Sequence, residues 1–180
     1  MLFTIEYLKK EDEKSLFDFE VQNRSFFETM IPSRGEAFYQ VSEFQQRHQL
    51  LLEEQERGES LFYLIKDQKK RIIGRMNVTD IKTSEAELGY RLGQEVVGKG
   101  IATQALAKLI NELSTNQLVT KLKAKTTSNH FASQKVLEKN GFIKVEESAD
   151  SFKFLGEDVY FVHYVWEGES NQHEDSKGNI

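Results

Sequence analysis

The stretch EVVGKGIATQALAKLINEL, residues 95–113, sets two glycines and a lysine ahead of an apolar run with helical spacing. Ile101, Ala105, Leu109 and Leu113 recur every four residues, which predicts a helix from about Gly100 to Leu113. Directly before it, AELGYRL (86–92) reads as a strand. The first N–H groups of a helix have no partner within it, and the helix dipole favours negative charge there. Glycines let the backbone come close to a phosphate, so a strand, glycine loop and helix in this order form a phosphate cradle in outline. A tight turn without a ligand satisfies the same local pattern. Two common phosphate motifs do not fit: GxxxxGK[ST] is absent, and a dinucleotide GxGxxG would have glycine where Thr103 stands and an acidic residue where the next strand offers Lys121, Lys123 and Lys125.

Outward from the loop, the chain alternates between helical and strand patterns. LFTIEYL (2–8) reads as a strand. From Lys10 to Met30 the apolar positions keep a spacing of three to four with a polar break at Asn23, and IPSRG (31–35), with the only proline, ends that helix. A second helix is predicted from Phe38 to Arg57, stopped by Gly58. SLFYLIK (60–66), RIIGRMNVTDI (71–81) and SEAELGYRL (84–92) form three antiparallel strands. TKLKAKT (120–126) alternates as a strand, SNHFASQKVLEKNG (128–141) reads as a helix, and FIKVEES and VYFVHYVW pair as strands. The expected fold is α+β (α/β): a mixed, mostly antiparallel central sheet flanked by helices, with one β-α-β unit at the glycine loop. Residues 1–166 make a single domain, and 167–180, polar and acidic, are expected to be a disordered tail.

The 180 residues are 38% hydrophobic and 29% charged, with a formal net charge of -5 and no cysteine. A cysteine nucleophile, a disulfide or a thiolate metal site is therefore excluded. The acidic balance argues against nucleic acid as a partner and is compatible with a basic substrate. No run approaches the ~20 apolar residues of a membrane span, so no membrane partner and a cytoplasmic location are expected. The four histidines lack ligand spacing, so no metal is predicted. His48 reads as a core residue and His163 as a strand-surface residue.

VGKGIA (97–102) resembles the pyrophosphate-binding motif Q/R-x-x-G-x-G/A of the GNAT acetyltransferases, and SQKVLEKNGF (133–142) resembles that family's following helix and strand entry. Together with the order of elements, the resemblance covers nearly all of residues 2–166 and is greatest to the branch of ribosomal-protein N-terminal acetyltransferases. It implies acetyl-coenzyme A as cosubstrate, contacted by Leu92 at the strand end and by Val97, Gly98, Lys99, Gly100, Ile101, Ala102 and Thr103. Val97 departs from the family's Gln or Arg. The family's asparagine three residues before Ser133 is His130 here, with Asn129 one place earlier, so either of the two meets the pantetheine arm. Phe26, Phe27 and Arg34 fall where the family's first helices cover the acceptor, although core packing explains the phenylalanines equally well. Homodimerisation is compatible with the resemblance.

Acetyl transfer from a thioester to an amine needs a neutral amine, a stabilised oxyanion and a protonated leaving thiolate. Glu87 is the candidate base: with strict alternation it shares a strand face with Glu85, Gly89 and Arg91 beside the acceptor, unless that face is simply solvated. Many family members protonate the thiolate with a tyrosine, but that position is Leu137. The resemblance to the ribosomal-protein branch gives the role to Ser133, with solvent as the alternative. Lys121, Lys123 and Lys125 are a solvated face or a contact to the coenzyme phosphate. The expected activity is N-acetylation of a primary amine, a protein or peptide N-terminus first, by direct attack in a ternary complex. A small-molecule amine such as a polyamine, amino acid or aminoglycoside, or a non-catalytic acyl-coenzyme A-binding module, is the alternative.

Overall fold

The computed structural model describes residues 1–168. Seven strands form one sheet in the order β1-β2-β3-β4-β5-β9-β6: β1 (Phe3–Tyr7), β2 (Leu61–Asp67), β3 (Ile72–Lys82), β4 (Glu85–Leu92), β5 (Lys121–Thr127), β9 (Phe161–Glu167) and β6 (Ile143–Glu147). β4 and β5 run parallel and the other neighbours are antiparallel, as the sequence pattern requires. Helix α4 (Ile101–Thr115) makes the crossover between the two parallel strands, because a parallel pair cannot be joined by a tight hairpin.

Strand alternation sorts the apolar residues onto two faces. On one face Tyr63, Ile65, Met76, Val78, Ala86, Leu88, Leu122 and Ala124 pack with Ile101, Ala105, Leu106, Leu109 and Leu113 of α4 and Leu137 of α5 (Phe131–Lys139). Each large side chain buried there contributes about 1.5–3 kcal/mol relative to exposure. On the other face Phe62 and Leu64 meet Leu16 and Phe19 of α1 (Glu13–Gln22), Phe27 of α2 (Arg24–Phe27) and Phe44 of α3 (Val41–Glu56). The helical stretch predicted over 10–30 is thus interrupted at its polar position. Asn23 Nδ2 donates to the carbonyl of Phe19, closing α1, while its Oδ1 accepts from the N–H of Gln94. That second bond ties the first helices to the segment leading into the glycine loop.

The helix predicted from Phe38 opens instead with a 3-10 turn (Glu36–Tyr39), and α3 proper begins at Val41. VYFVHYVW is not one strand. Its start belongs to β8 (Glu157–Val159), which pairs with β7 (Phe152–Phe154) in a small separate hairpin absent from the sequence reading. The turn between them places Leu155 and Gly156 at positive φ, a conformation that the leucine does not advertise. Glu167, assigned to the tail, is the last residue of β9; the rest of the expected tail, from residue 169, lies outside the described residues. Among the described residues no helix is long and apolar enough to cross a membrane.

Candidate active site

The pairing of β4 with β5 stops at Leu88 and Ala124. Beyond that point the two strands part, leaving one edge of Gly89–Leu92 without a strand partner. A cavity of about 720 Å³ occupies the gap, reaching from the glycine loop to the first helices. Gly98 and Gly100 have φ of 77° and 73°, a left-handed region costly for residues with a Cβ. Gly100 caps α4 without any side-chain hydrogen bond to the first turn. The N–H groups of Ile101, Ala102 and Thr103 are those that an α-helix leaves unpartnered, and all three residues line the cavity. Such a helix terminus favours an anion, and Lys135 and Lys139 of α5 line the same cavity.

On the opposite wall, Tyr90 Oη lies 3.0 Å from Ser133 Oγ and 3.2 Å from the Ser133 carbonyl oxygen. Burial pushes the Tyr90 pKa up to about 12, so the phenol keeps its proton at neutral pH. When that proton is donated to Ser133 Oγ, the serine proton is free to point into the cavity. His130, at the start of α5, also lines it, and burial lowers its pKa so that the imidazole is neutral at pH 7.

Toward the first helices the lining becomes cationic. Arg75 of β3 and Arg91 of β4 stand directly opposite each other across the two strands, and both reach the fully buried carboxylate of Glu20, at 2.8 and 3.1 Å. Burial lowers the Arg91 pKa, with Glu20 opposing that effect. Arg34 lines the same cavity from the loop after α2, its guanidinium 4.7 Å from the Phe38 ring. Desolvation, with Arg91 and Arg75 adding to it, pulls its pKa below the ordinary arginine range.

Residues 3–143 match the Acetyltransferase (GNAT) domain family. The chain belongs to the GNAT acetyltransferases. It is 28% identical over 137 residues to the [ribosomal protein uS5]-alanine N-acetyltransferase of Escherichia coli (strain K12), a match covering 74% of this chain and 71% of the relative. A crystal structure of ribosomal-protein-S5-alanine acetyltransferase from Vibrio fischeri superposes with a TM-score of 0.85 at 22% identity, covering 93% of each chain. The L7/L12 α-N-protein acetyltransferase RimL in complex with coenzyme A superposes with a TM-score of 0.83 at 18% identity, covering 92% of this chain and 94% of that one. At these identities the superpositions establish the fold, and the family match makes this chain an acetyltransferase enzyme.

Within the GNAT framework, the sequence-predicted residues fall into two groups. Leu92, Val97, Gly98, Gly100, Ile101, Ala102, Thr103, His130, Ser133, Phe27 and Arg34 converge on the one cavity. Lys99, Asn129, Phe26 and Glu87 stand outside its lining. The Lys99 ammonium donates to the carbonyl of Glu95, folding back along its own loop. Asn129 donates to Glu157 of the β7–β8 hairpin, which leaves His130 as the cavity neighbour of the two. Phe26 packs at the edge of the helix-side core, one position round the helix from Phe27. Glu87 keeps the face that alternation gave it, opposite Thr79 and Lys123, but sits in the still-paired part of β4, before the strands part. Lys121 and Lys123 pair with Glu85, whereas Lys125 lines the cavity.

Tyr90, Arg75, Arg91 and Glu20 were not singled out from the sequence. Tyr90 alternates with Ala86 and Leu88 and reads as core. One available signal was a pair of charged residues, Arg75 and Arg91, at strand positions flanked by apolar neighbours. His48, expected in the core, is buried with Nε2 3.1 Å from the carbonyl of Lys9.

Proposed function

We propose that this GNAT acetyltransferase transfers an acetyl group from acetyl-coenzyme A to the N-terminal amine of a protein or peptide, by direct attack in a ternary complex. The observation that carries the reading is that the open N-terminus of α4 and the Tyr90–Ser133 pair line one cavity at the parting of β4 and β5. Backbone N–H groups of residues 98–103 hold the pyrophosphate, and Leu92 and His130 flank the pantetheine arm. The thioester carbonyl lies along the unpaired edge of β4, where a backbone N–H donates to the developing oxyanion. Attack forms the C–N bond, and collapse breaks the C–S bond. Ser133 gives its proton to the departing sulfur and is reprotonated as the new amide nitrogen sheds its excess proton, with Tyr90 orienting the Ser133 hydroxyl.

The amine must shed a proton to attack, and two groups are candidates to take it. Glu87, exposed on β4 and outside the cavity lining, is a base only through intervening water. His130 is the second reading, favoured by its place in the lining and by its neutrality at pH 7. Glu87→Gln and His130→Asn, assayed for turnover against pH, separate them: the variant that abolishes the rising acid limb marks the base.

Thiol release from acetyl-coenzyme A, against a panel of N-terminal peptides, polyamines, free amino acids and aminoglycosides, tests the activity. The cysteine-free chain gives this readout no background of its own. Peptide-dependent release is expected. Release driven by polyamines or aminoglycosides alone moves the acceptor to a small molecule, and binding without release to any acceptor leaves a coenzyme-binding module.

A further inference from the structure

Behind Arg34 a second cavity, of about 200 Å³, shares Arg34, Arg75 and Asn77 with the large one and continues it between the sheet and α3. Arg47 of α3 lines it, with its guanidinium 4.5 Å from the centroid of the Phe38 ring, the same ring that Arg34 covers. Arg47 Nη1 is buried and has no hydrogen-bond partner. Among the described residues neither Arg34 nor Arg47 enters an ion pair.

The charges around the two connected cavities do not balance. Four guanidinium groups, Arg34, Arg47, Arg75 and Arg91, face two carboxylates, Glu20 and Glu54. Glu20 is already shared by Arg75 and Arg91, and Glu54 accepts a hydrogen bond from Ser60. Leaving aside Lys125, Lys135 and Lys139, which also line the large cavity, these four positive charges less two negative leave an excess of two, in a chain whose overall formal charge is -5. Arg34 is exposed and Arg47 half-buried, so the cost of gathering these like charges is partly screened, but the buried Arg47 Nη1 without a partner carries its full desolvation penalty. A carboxylate in the cavity that Arg34 and Arg47 both line offsets part of the excess and gives Arg47 Nη1 a charge-assisted partner of the kind guanidinium favours.

We propose that the acceptor carries a carboxylate near its reacting amine, held by Arg34 and Arg47. This rests on the acetyltransferase reading above and names the class of acceptor. The overall acidity is compatible with a basic substrate; the local field favours an acidic group instead. The carboxylate comes either from an acidic side chain early in an N-terminal peptide or from a free amino acid, and the two sources share the same recognition. A polyamine, carrying only positive charge, is repelled by the excess.

Thiol release is measured with alanine-initiated peptides that differ only in Glu, Gln or Lys at the second or third position, and with free glutamate and spermidine. With wild-type protein, kcat/KM for a Glu peptide should exceed that for its Gln counterpart by at least about tenfold, the size of one charge-assisted hydrogen bond, with Lys lower still. Arg34→Gln and Arg47→Gln should each bring the Glu/Gln ratio toward one, mainly through KM, while Arg47→Lys retains part of it. Melting temperatures monitor the fold of each variant, and the wild-type comparison needs no variant at all. Equal use of Glu and Gln peptides overturns the proposal and leaves the peptide reading standing. Turnover of free glutamate without any peptide supports the carboxylate and sinks the peptide reading, and turnover of spermidine alone sinks both. If nothing is turned over, melting of the protein with coenzyme A and each N-acetylated peptide decides: a larger upward shift for Glu supports the proposal, and equal shifts overturn it.

Discussion

On the α4 side of the large cavity the lining comes from one short segment, Val97 and Gly98 and then Gly100 to Thr103, offering backbone amides and space where side chains are missing. On the first-helix side it is made of guanidinium groups from β3, β4 and the loop after α2, with a carboxylate from α1 behind them. A backbone site is local, tolerates varied side chains, and is limited by where glycine permits positive φ. A side-chain site is assembled from residues scattered over some seventy positions, from Glu20 to Arg91, and its members depend on one another. The first suits a constant ligand such as a coenzyme, and the second suits an acceptor that differs from one family member to another.

The contrast breaks most visibly at Glu20. Glu20→Gln strands the buried Arg75 and the largely buried Arg91 without their shared carboxylate, and the expected loss is roughly 3–5 kcal/mol, read by urea denaturation. A loss below about 1 kcal/mol would show that the arginines are solvated and that the cluster is not a unit. Tyr90→Phe sharpens the comparison from the reacting centre between the two walls. It should lower kcat about tenfold, the equivalent of one ordinary hydrogen bond, with KM for acetyl-coenzyme A unchanged. A change in KM alone would place Tyr90 in binding rather than in positioning Ser133.

The smallest effect concerns His130. Burial depresses its folded pKa below the ordinary value of 6.5, so above 6.5 both folded and unfolded chains hold it neutral. As the pH falls below 6.5 the unfolded chain takes up a proton first, and native stability is lost until the pH passes the folded pKa. His130→Asn should therefore flatten the stability profile below pH 6.5 and leave it parallel to wild type above. Identical slopes in acid would mean that the imidazole is solvated.

The same division explains what was legible. The glycine loop, the crossover helix and the parallel strand that follows could be read from local pattern, because each is specified by neighbours in sequence. So could the facing of Glu87, since β4 alternates without interruption and the register irregularity falls on β3, between Thr79 and Lys82. Its exclusion from the cavity lining could not, because that depends on where β5 leaves β4. The Glu20 cluster was equally hidden: Glu20 looks like one more charge on an amphipathic helix until Arg75 and Arg91 arrive from the sheet. Asn23 did appear as a polar break, but its bond to Gln94, which joins the first helices to the segment leading into the glycine loop, spans 71 residues.

Calorimetric titration of acetyl-coenzyme A into the wild-type protein and into Gly98→Val tests the backbone cradle most directly. Gly98 has open space where a Cβ would stand, so the substitution strains the backbone at its φ of 77° without a Cβ clash. The account predicts saturable binding by the wild type and at least about tenfold weaker binding by the variant, in line with 1–3 kcal/mol of backbone strain at a site that must stay formed. Equal affinity of the two proteins, or no binding by the wild type, would contradict it.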